Sequence, residues 1–326
     1  MTRYLRDTAL LAGALALGCS KPQASPPAPS AAPAPSLKPA APLPAPVASG
    51  LPDPESVSAQ VNPNKEPAYT GPVGTVRGRV VVTGDKSVPL PEALAKIPPE
   101  CPSTAREVHG TLFREGPGRA LADALVGVTG YKGYVPEREP VQRVEAKGCA
   151  YSTRTLALTY GQRIEVASMD RETYVPELLG ERGQPQILAM PGSEVASPLY
   201  PTRAGRFVLI DNLKLFMSAE VLVVKFSTHA VTGLDGRFEI RGVPVGQVSV
   251  NALMPVTGAG AQKSVVVEAG KPTDELVLEI AFDAKAYQAA RDGGAPAPSS
   301  SAAAPSTTAP AGKGKSTSAP ARSASP

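Results

Sequence analysis

The chain has 326 residues, 42% of them hydrophobic and 19% charged, with 37 Pro, 30 Gly, 3 Cys, 2 His and no Trp. Two histidines do not supply a three-histidine zinc site, and no HExxH spacing is present, so those metallohydrolase arrangements are excluded. The formal charge of +4 is confined to the ends: Arg3 and Arg6 less Asp7 contribute one unit, and Lys313, Lys315 and Arg322 the other three. An electrically balanced body without a basic stripe gives no footing for nucleic-acid binding.

The opening MTRYLRDTALLAGALALGCS carries Arg3 and Arg6, then an apolar run from Ala9 to Leu17, then small residues before a cysteine. This is a secretory signal pattern over residues 1–18. About nine apolar residues cover roughly 14 Å as a helix, half of a bilayer's hydrocarbon core, so the segment does not span a membrane. Leu15-Ala16-Leu17-Gly18-Cys19 resembles the lipobox of bacterial lipoproteins, in which the peptide is cut before the cysteine and the thiol receives a diacylglyceryl group. That resemblance implies lipidation at Cys19 and membrane attachment through the N-terminal lipid. Ser20 offers no Asp retention signal, which points to the periplasmic face of the outer membrane in the cell envelope. The competing reading is an ordinary signal peptide with an incidental cysteine.

Residues 19–71 are rich in Pro, Ala and Ser (SPPAPSAAPAPSLKPAAPLPAPVAS), a composition that cannot bury a core, and are expected to form a disordered tether. Fully extended, about 50 such residues reach on the order of 150 Å. A second low-complexity segment, 283–326, is expected to be a disordered tail. Between them, VRGRVVVTG, RTLALTY, QRIEVAS, GRFVLI, AEVLVVKF, GRFEIRGV, QVSVNALM, KSVVVEA and ELVLEI alternate or run apolar and are punctuated by Gly, Pro, Asp and Thr, the mark of strands. Helical pattern is confined to PEALAKI and to Asp283–Arg291. The fold class expected is all-β, with sandwich architecture.

With Cys19 assigned to lipid, Cys101 and Cys149 remain as an even pair in an exported chain. They suit a disulfide closing a loop of about 48 residues. Free or metal-binding thiols are the rival reading, for which no CxxC spacing is present.

Two passages carry a resemblance. GTVRGRVVVTG and VTGLDGRFEIRGVPVGQVSVNALMP resemble the carboxypeptidase regulatory-like, transthyretin-type sandwich, whose signature is filled here by Thr232, Asp235, Gly236, Phe238, Ile240, Val243, Pro244 and Gly246. On local grounds Asp235-Gly236 is expected to make a tight hairpin, Phe238 and Ile240 to share a face, and Pro244 and Gly246 to end the strand. The intervening passage with GCAYSTRTLALTYGQRIEVASMDRETYVPE and DNLKLFM resembles the cupredoxin-like segment inserted into such sandwiches, with Cys149, Tyr151, Gly161 and Asp170 at matching places. That resemblance implies two Greek-key-type β-sandwiches. The first part of the regulatory-like one falls at 72–123, the cupredoxin-like domain at 124–226, and the completing strands at 227–282. It also implies that the copper-ligand positions hold Tyr174, Asp211, Lys214 and Met217. A blue-copper site needs two imidazoles and a thiolate, and a protonated lysine cannot coordinate, so the expectation is a copper site that has been lost and no cofactor.

Other residues were open to a function. His229 and His109, the latter in a polar loop, are isolated histidines more in keeping with hydrogen bonding than with metal. Asp170, Arg171, Glu172 and Asp211 would suit either a Ca²⁺ site or an ion-pair cluster with Lys214. Tyr131, Tyr134, Tyr151, Tyr160, Tyr174 and Tyr200 suit either core packing or an aromatic surface for glycan or protein. No nucleophile elbow or phosphate-cradling Gly loop is written in the chain, so no enzyme is expected. The function expected is a membrane-anchored envelope lipoprotein with a non-catalytic binding or scaffolding body, its partner an envelope protein or glycan. The alternative is a periplasmic electron carrier with a displaced metal site built from Met217, His229 or Cys149.

Overall fold

A computed structural model describes residues 52–181, 186–192 and 196–292. The signal segment, Cys19 and most of the expected tether and tail lie outside the described residues. In chain order the elements are α1 (Pro54–Val61), β1 (Val73–Gly84), α2 (Pro91–Ala95), α3 (Ser103–His109), β2 (Leu125–Thr129), β3 (Val141–Lys147), β4 (Ala150–Tyr151), β5 (Thr155–Thr159), β6 (Arg163–Ser168) and β7 (Pro176–Leu179). There follow β8 (Ser197–Leu199), β9 (Gly205–Asp211), β10 (Ser218–Val224), β11 (His229–Val231), β12 (Arg237–Pro244), β13 (Gly246–Leu253), β14 (Gly260–Val267), β15 (Leu276–Phe282) and α4 (Ala284–Asp292). The fold is all-β, and each of the nine strand runs read from the sequence is a strand.

Among the described residues, four sheets pair into two sandwiches. In the first, β12-β1-β15 faces β11-β2-β13-β14. β1 runs antiparallel to β12 and parallel to β15. The alternation in β1 sends Val76, Val80 and Val82 inward to meet Phe238, Ile240, Val250, Leu278 and Ile280. In the second, β5-β10-β9-β7 faces β4-β3-β6-β8, around Val144, Leu158, Ile164, Leu209, Met217 and Val221.

The strand β5 is buried at every residue. Its side chains pack on one face into the second core, while Ala157 meets Leu125 and Leu222 at the seam between the sandwiches. Burial on both faces is why RTLALTY reads as a continuous apolar run rather than an alternating one. Beside this seam lies a polar knot. The Asp123 carboxylate is nearly buried and accepts two bonds from the Arg114 guanidinium (2.7 and 2.6 Å), one from Arg154 N–H (2.9 Å) and one from the Thr153 hydroxyl (3.1 Å).

Several expectations need correction. A division at residue 124 assigns β2 to the inserted segment, yet β2 pairs with β13 and β11; its short apolar run completes the first core through Val126 and Val128. The tether does not extend to residue 71. Asp53 caps α1 by accepting from Ser56 N–H (2.9 Å), Pro54 occupies the first turn, and Val57 and Val61, four apart on one face, pack on the second core. Gly161 (φ +106°) admits this helix, because a Cβ there would stand 2.8 Å from Val57. Helix α4 (Ala284–Asp292) matches the helical pattern read over Asp283–Arg291, so the tail begins later than residue 283.

Asp235-Gly236 is not a hairpin between paired strands. β11 belongs to one sheet and β12 to the other, so the turn carries the chain across the sandwich. Gly236 takes φ +70° there, and its carbonyl accepts from Val80 N–H at 2.8 Å. Thr232 anchors the crossing: its buried hydroxyl donates to Leu121 O (2.6 Å) and accepts from Ala124 N–H (3.0 Å). Phe238 and Ile240 do share the buried face, and Pro244 and Gly246 flank a second crossing from β12 to β13.

Candidate functional site

Three segments meet at one end of the second sandwich: the β3–β4 turn, the 169–175 loop after β6, and the 211–217 connection between β9 and β10. They bring Tyr174, Asp211, Lys214 and Met217 together. Asp211 ends β9 with no exposed surface. One carboxylate oxygen accepts from Val175 N–H (2.7 Å), the other from Leu213 N–H (3.0 Å) and Lys214 N–H (2.8 Å). The connection closes with Met217 N–H donating to Lys214 O (2.7 Å), and Met217 is fully buried. The Lys214 ammonium lies 4.6 Å from the centroid of the Tyr174 ring, a cation–π contact, and 3.6 Å from the Glu172 carboxylate. The Tyr174 hydroxyl donates to Asp170 (2.8 Å), which also accepts from Gly148 N–H (2.6 Å).

Charge in this cluster follows from those bonds. Burial and then the hydrogen bond to Asp170 push the Tyr174 phenol above the ordinary tyrosine range. Burial opposes ionisation of Asp170, but the Gly148 and Glu172 N–H groups, the Tyr174 hydroxyl and Lys214 together hold its carboxyl below the usual value.

The donor set does not fit copper. Both Asp211 oxygens are committed to backbone N–H groups, Tyr174 donates its proton to Asp170, and an ammonium stands over the ring. Met217 supplies the only soft donor of the four positions. Among the described residues no three of His, Cys, Asp and Glu converge as a metal would require; Asp170 is engaged by Gly148 N–H and the Tyr174 hydroxyl, Glu172 by Lys214, and Asp211 by backbone N–H groups. The displaced site is not assembled either. Cys149 is bonded to Cys101 in a disulfide, Met217 is in the second core, and His229 starts β11 of the first sandwich with its ring at 3.1 Å from the Thr159 hydroxyl. Burial holds the His229 pKa below its ordinary value, with Glu137 acting the other way.

His109 is not in a polar loop. It ends α3, buried, with its ring nitrogen 3.2 Å from Cys149 O and its ring edge-on to Phe216 at 5.7 Å. Burial lowers its pKa to about 4, with the Cys149 hydrogen bond opposing and Arg154 and Arg114 adding to the shift. The ring is therefore neutral near pH 7 and its Nε2–H donates to the carbonyl. Tyr151, Tyr160 and Tyr174 are buried and Tyr131 hydrogen-bonds Thr228, so these four pack rather than form an aromatic face.

Sequence reasoning missed the polarity of the 213–215 tip. Leu213 and Leu215 are 63% and 74% exposed, while the Lys214 side chain between them is 16% exposed. The signal was present in DNLKLFM as an alternating pattern at a strand end, but nothing local says which phase faces water. Met169 and Met190, each about half exposed, belong to the same end: Met169 precedes Asp170, and Met190 accepts a weak bond from Thr173 (3.9 Å).

No protein-family model matches the chain, and no curated protein does. Solved structures of amicyanin are similar to part of it. The amicyanin of Paracoccus versutus is 16% identical with a TM-score of 0.23, over 30% of this chain and 97% of that one. A reduced amicyanin variant is 17% identical with a TM-score of 0.23, over 30% and 98%. Another reduced variant is 20% identical with a TM-score of 0.22, over 25% and 80%.

Proposed function

We propose that the protein is an envelope lipoprotein, anchored through acylated Cys19 and displayed on a Pro-rich tether, whose β-sandwich body binds a partner without catalysis. In this reading the second sandwich descends from a cupredoxin-like domain that lost copper and kept its shape, inserted in a carboxypeptidase regulatory-like sandwich. The observation that supports a binding role is the inverted tip: two leucines face water and the lysine between them faces the protein. Burying a leucine side chain stabilises by about 1.5–3 kcal/mol, so the exposed pair forgoes a gain that an apolar partner would recover. The Asp211 hydrogen bonds hold the tip in that conformation.

Three measurements test this. Mass spectrometry of the mature N-terminus is expected to find an acylated Cys19, with Cys19→Ser releasing the protein from membranes; an unmodified Cys19 in a soluble product refutes the anchor. Leu213→Ser/Leu215→Ser is expected to abolish capture of the envelope partner by the otherwise intact chain. Undiminished capture refutes the tip as the binding surface. Copper(II) titration is expected to produce neither visible absorbance nor a thermal shift, whereas either signal would support an electron carrier.

A further inference from the structure

Strands β3 and β4 are joined by Gly148 and Cys149, whose φ angles are +57° and +61°. A two-residue turn with both central residues in the left-handed region suits Gly and Asn, whereas a cysteine pays a steric penalty there. Cys149 is held in place by the segment before β2. Cys101 is bonded to its sulfur across a Cα–Cα distance of 5.8 Å, and His109 donates to its carbonyl. The consequences run into the loop cluster by two routes. Gly148 N–H meets Asp170, which holds Tyr174, which carries Lys214. The His109 ring packs on Phe216 of the 211–217 connection.

We propose that the Cys101–Cys149 disulfide is a redox-sensitive clasp: oxidised, it keeps Cys149 left-handed and holds the 169–175 and 212–217 segments together, with Lys214 against Tyr174 and Glu172; reduced, it lets the turn relax and those segments open. The reductant is a dithiol. Its thiolate attacks one protein sulfur and forms a mixed disulfide, releasing the other cysteine as a thiolate that takes up a proton. The second thiol of the reductant then displaces the remaining cysteine and leaves as the reductant's own disulfide, so two electrons and two protons pass to the protein. The cysteines are only 7% and 6% exposed, so attack follows local opening of the segment around α3. The clasp goes beyond the binding reading and does not depend on what the tip binds.

The test is amide hydrogen exchange on the full chain, oxidised and after dithiothreitol. Exchange in 169–175 and 212–217 is expected to accelerate by ~10-fold or more on reduction, with β1 and β12 unchanged. Cys101→Ser/Cys149→Ser should reproduce the reduced pattern. Cys101→Ser/Cys149→Gly should stay within about twofold of the oxidised protein, because Gly occupies the turn without strain. Unchanged loops on reduction, equal acceleration in β1 and β12, or indistinguishable Ser and Gly variants would each overturn the proposal. If the Ser variant fails to fold, dithiothreitol treatment of the parent and the Gly variant still decide it.

Discussion

Replacing Asp211 by Ala removes the acceptor for three backbone N–H groups at a position with no exposed surface. A hydrogen bond to a charged group contributes about 1.5–3 kcal/mol, and a buried donor left unpaired costs about 1–3 kcal/mol. Val175 is nearly buried, so its N–H bears the full cost, about 2 kcal/mol. Leu213 and Lys214 lie at the tip, where water can replace the lost acceptor, and about 1 kcal/mol each is expected. The sum is about 4 kcal/mol, which urea unfolding would read as a midpoint lowered by roughly 1.3 M for a slope near 3 kcal/mol/M. Asp211→Asn keeps one acceptor oxygen but turns an N–H₂ toward one of the three donors, so roughly half that loss is expected. A loss below about 1 kcal/mol for the Ala variant would refute the claim that this carboxylate organises the connection.

Four other outcomes follow from the same geometry. Asp123→Ala leaves Arg114 without its buried bidentate partner and is expected to cost about 3–5 kcal/mol by chemical denaturation. Gly236→Ala sets a Cβ 2.5 Å from Val80 O at φ +70° and is expected to cost about 2 kcal/mol or more; a neutral effect would mean the crossing turn relaxes freely. Because the folded pKa of His109 is about 4 against 6.5 unfolded, the unfolded state binds the extra proton between those values, so its contribution is complete above pH 6.5 and is lost as the pH falls toward 4. The loss is on the order of 3 kcal/mol, and His109→Gln should flatten that limb of the stability–pH curve. Tyr174→His/Asp211→Cys/Lys214→His places two imidazoles and a thiolate beside Met217, and copper(II) is expected to give it a visible absorbance that the parent lacks; a colourless product that keeps the parent's far- and near-UV circular dichroism would show that these positions do not share one coordination sphere.

The all-β class was legible in the strand runs because alternation and apolar stretches report burial on one face or two. The local signature at 232–246 likewise announced buried Phe238 and Ile240. The Asp235-Gly236 turn was misread because a tight turn has the same local chemistry whether it joins neighbours in one sheet or carries the chain to the opposite one. At the candidate site the residue types were legible and the bonds were not. Tyr174 and Asp211 are 37 positions apart in sequence, and only the meeting of the 169–175 and 211–217 segments sets the Lys214 ammonium over the Tyr174 ring and the Asp211 carboxylate on Val175 N–H.

Composition and periodicity alone determined the strand-forming body and the low-complexity ends, since each depends on residue type or on neighbours a few positions away. Tertiary structure decided the rest: which sheet β2 joins, that α1 docks at Gly161, that His109 is buried and neutral, and that Leu213 and Leu215 face water while Lys214 turns inward. Those outcomes are set by contacts between segments tens of residues apart, where the free energy of burying or pairing a side chain depends on what the rest of the chain has already brought to that place.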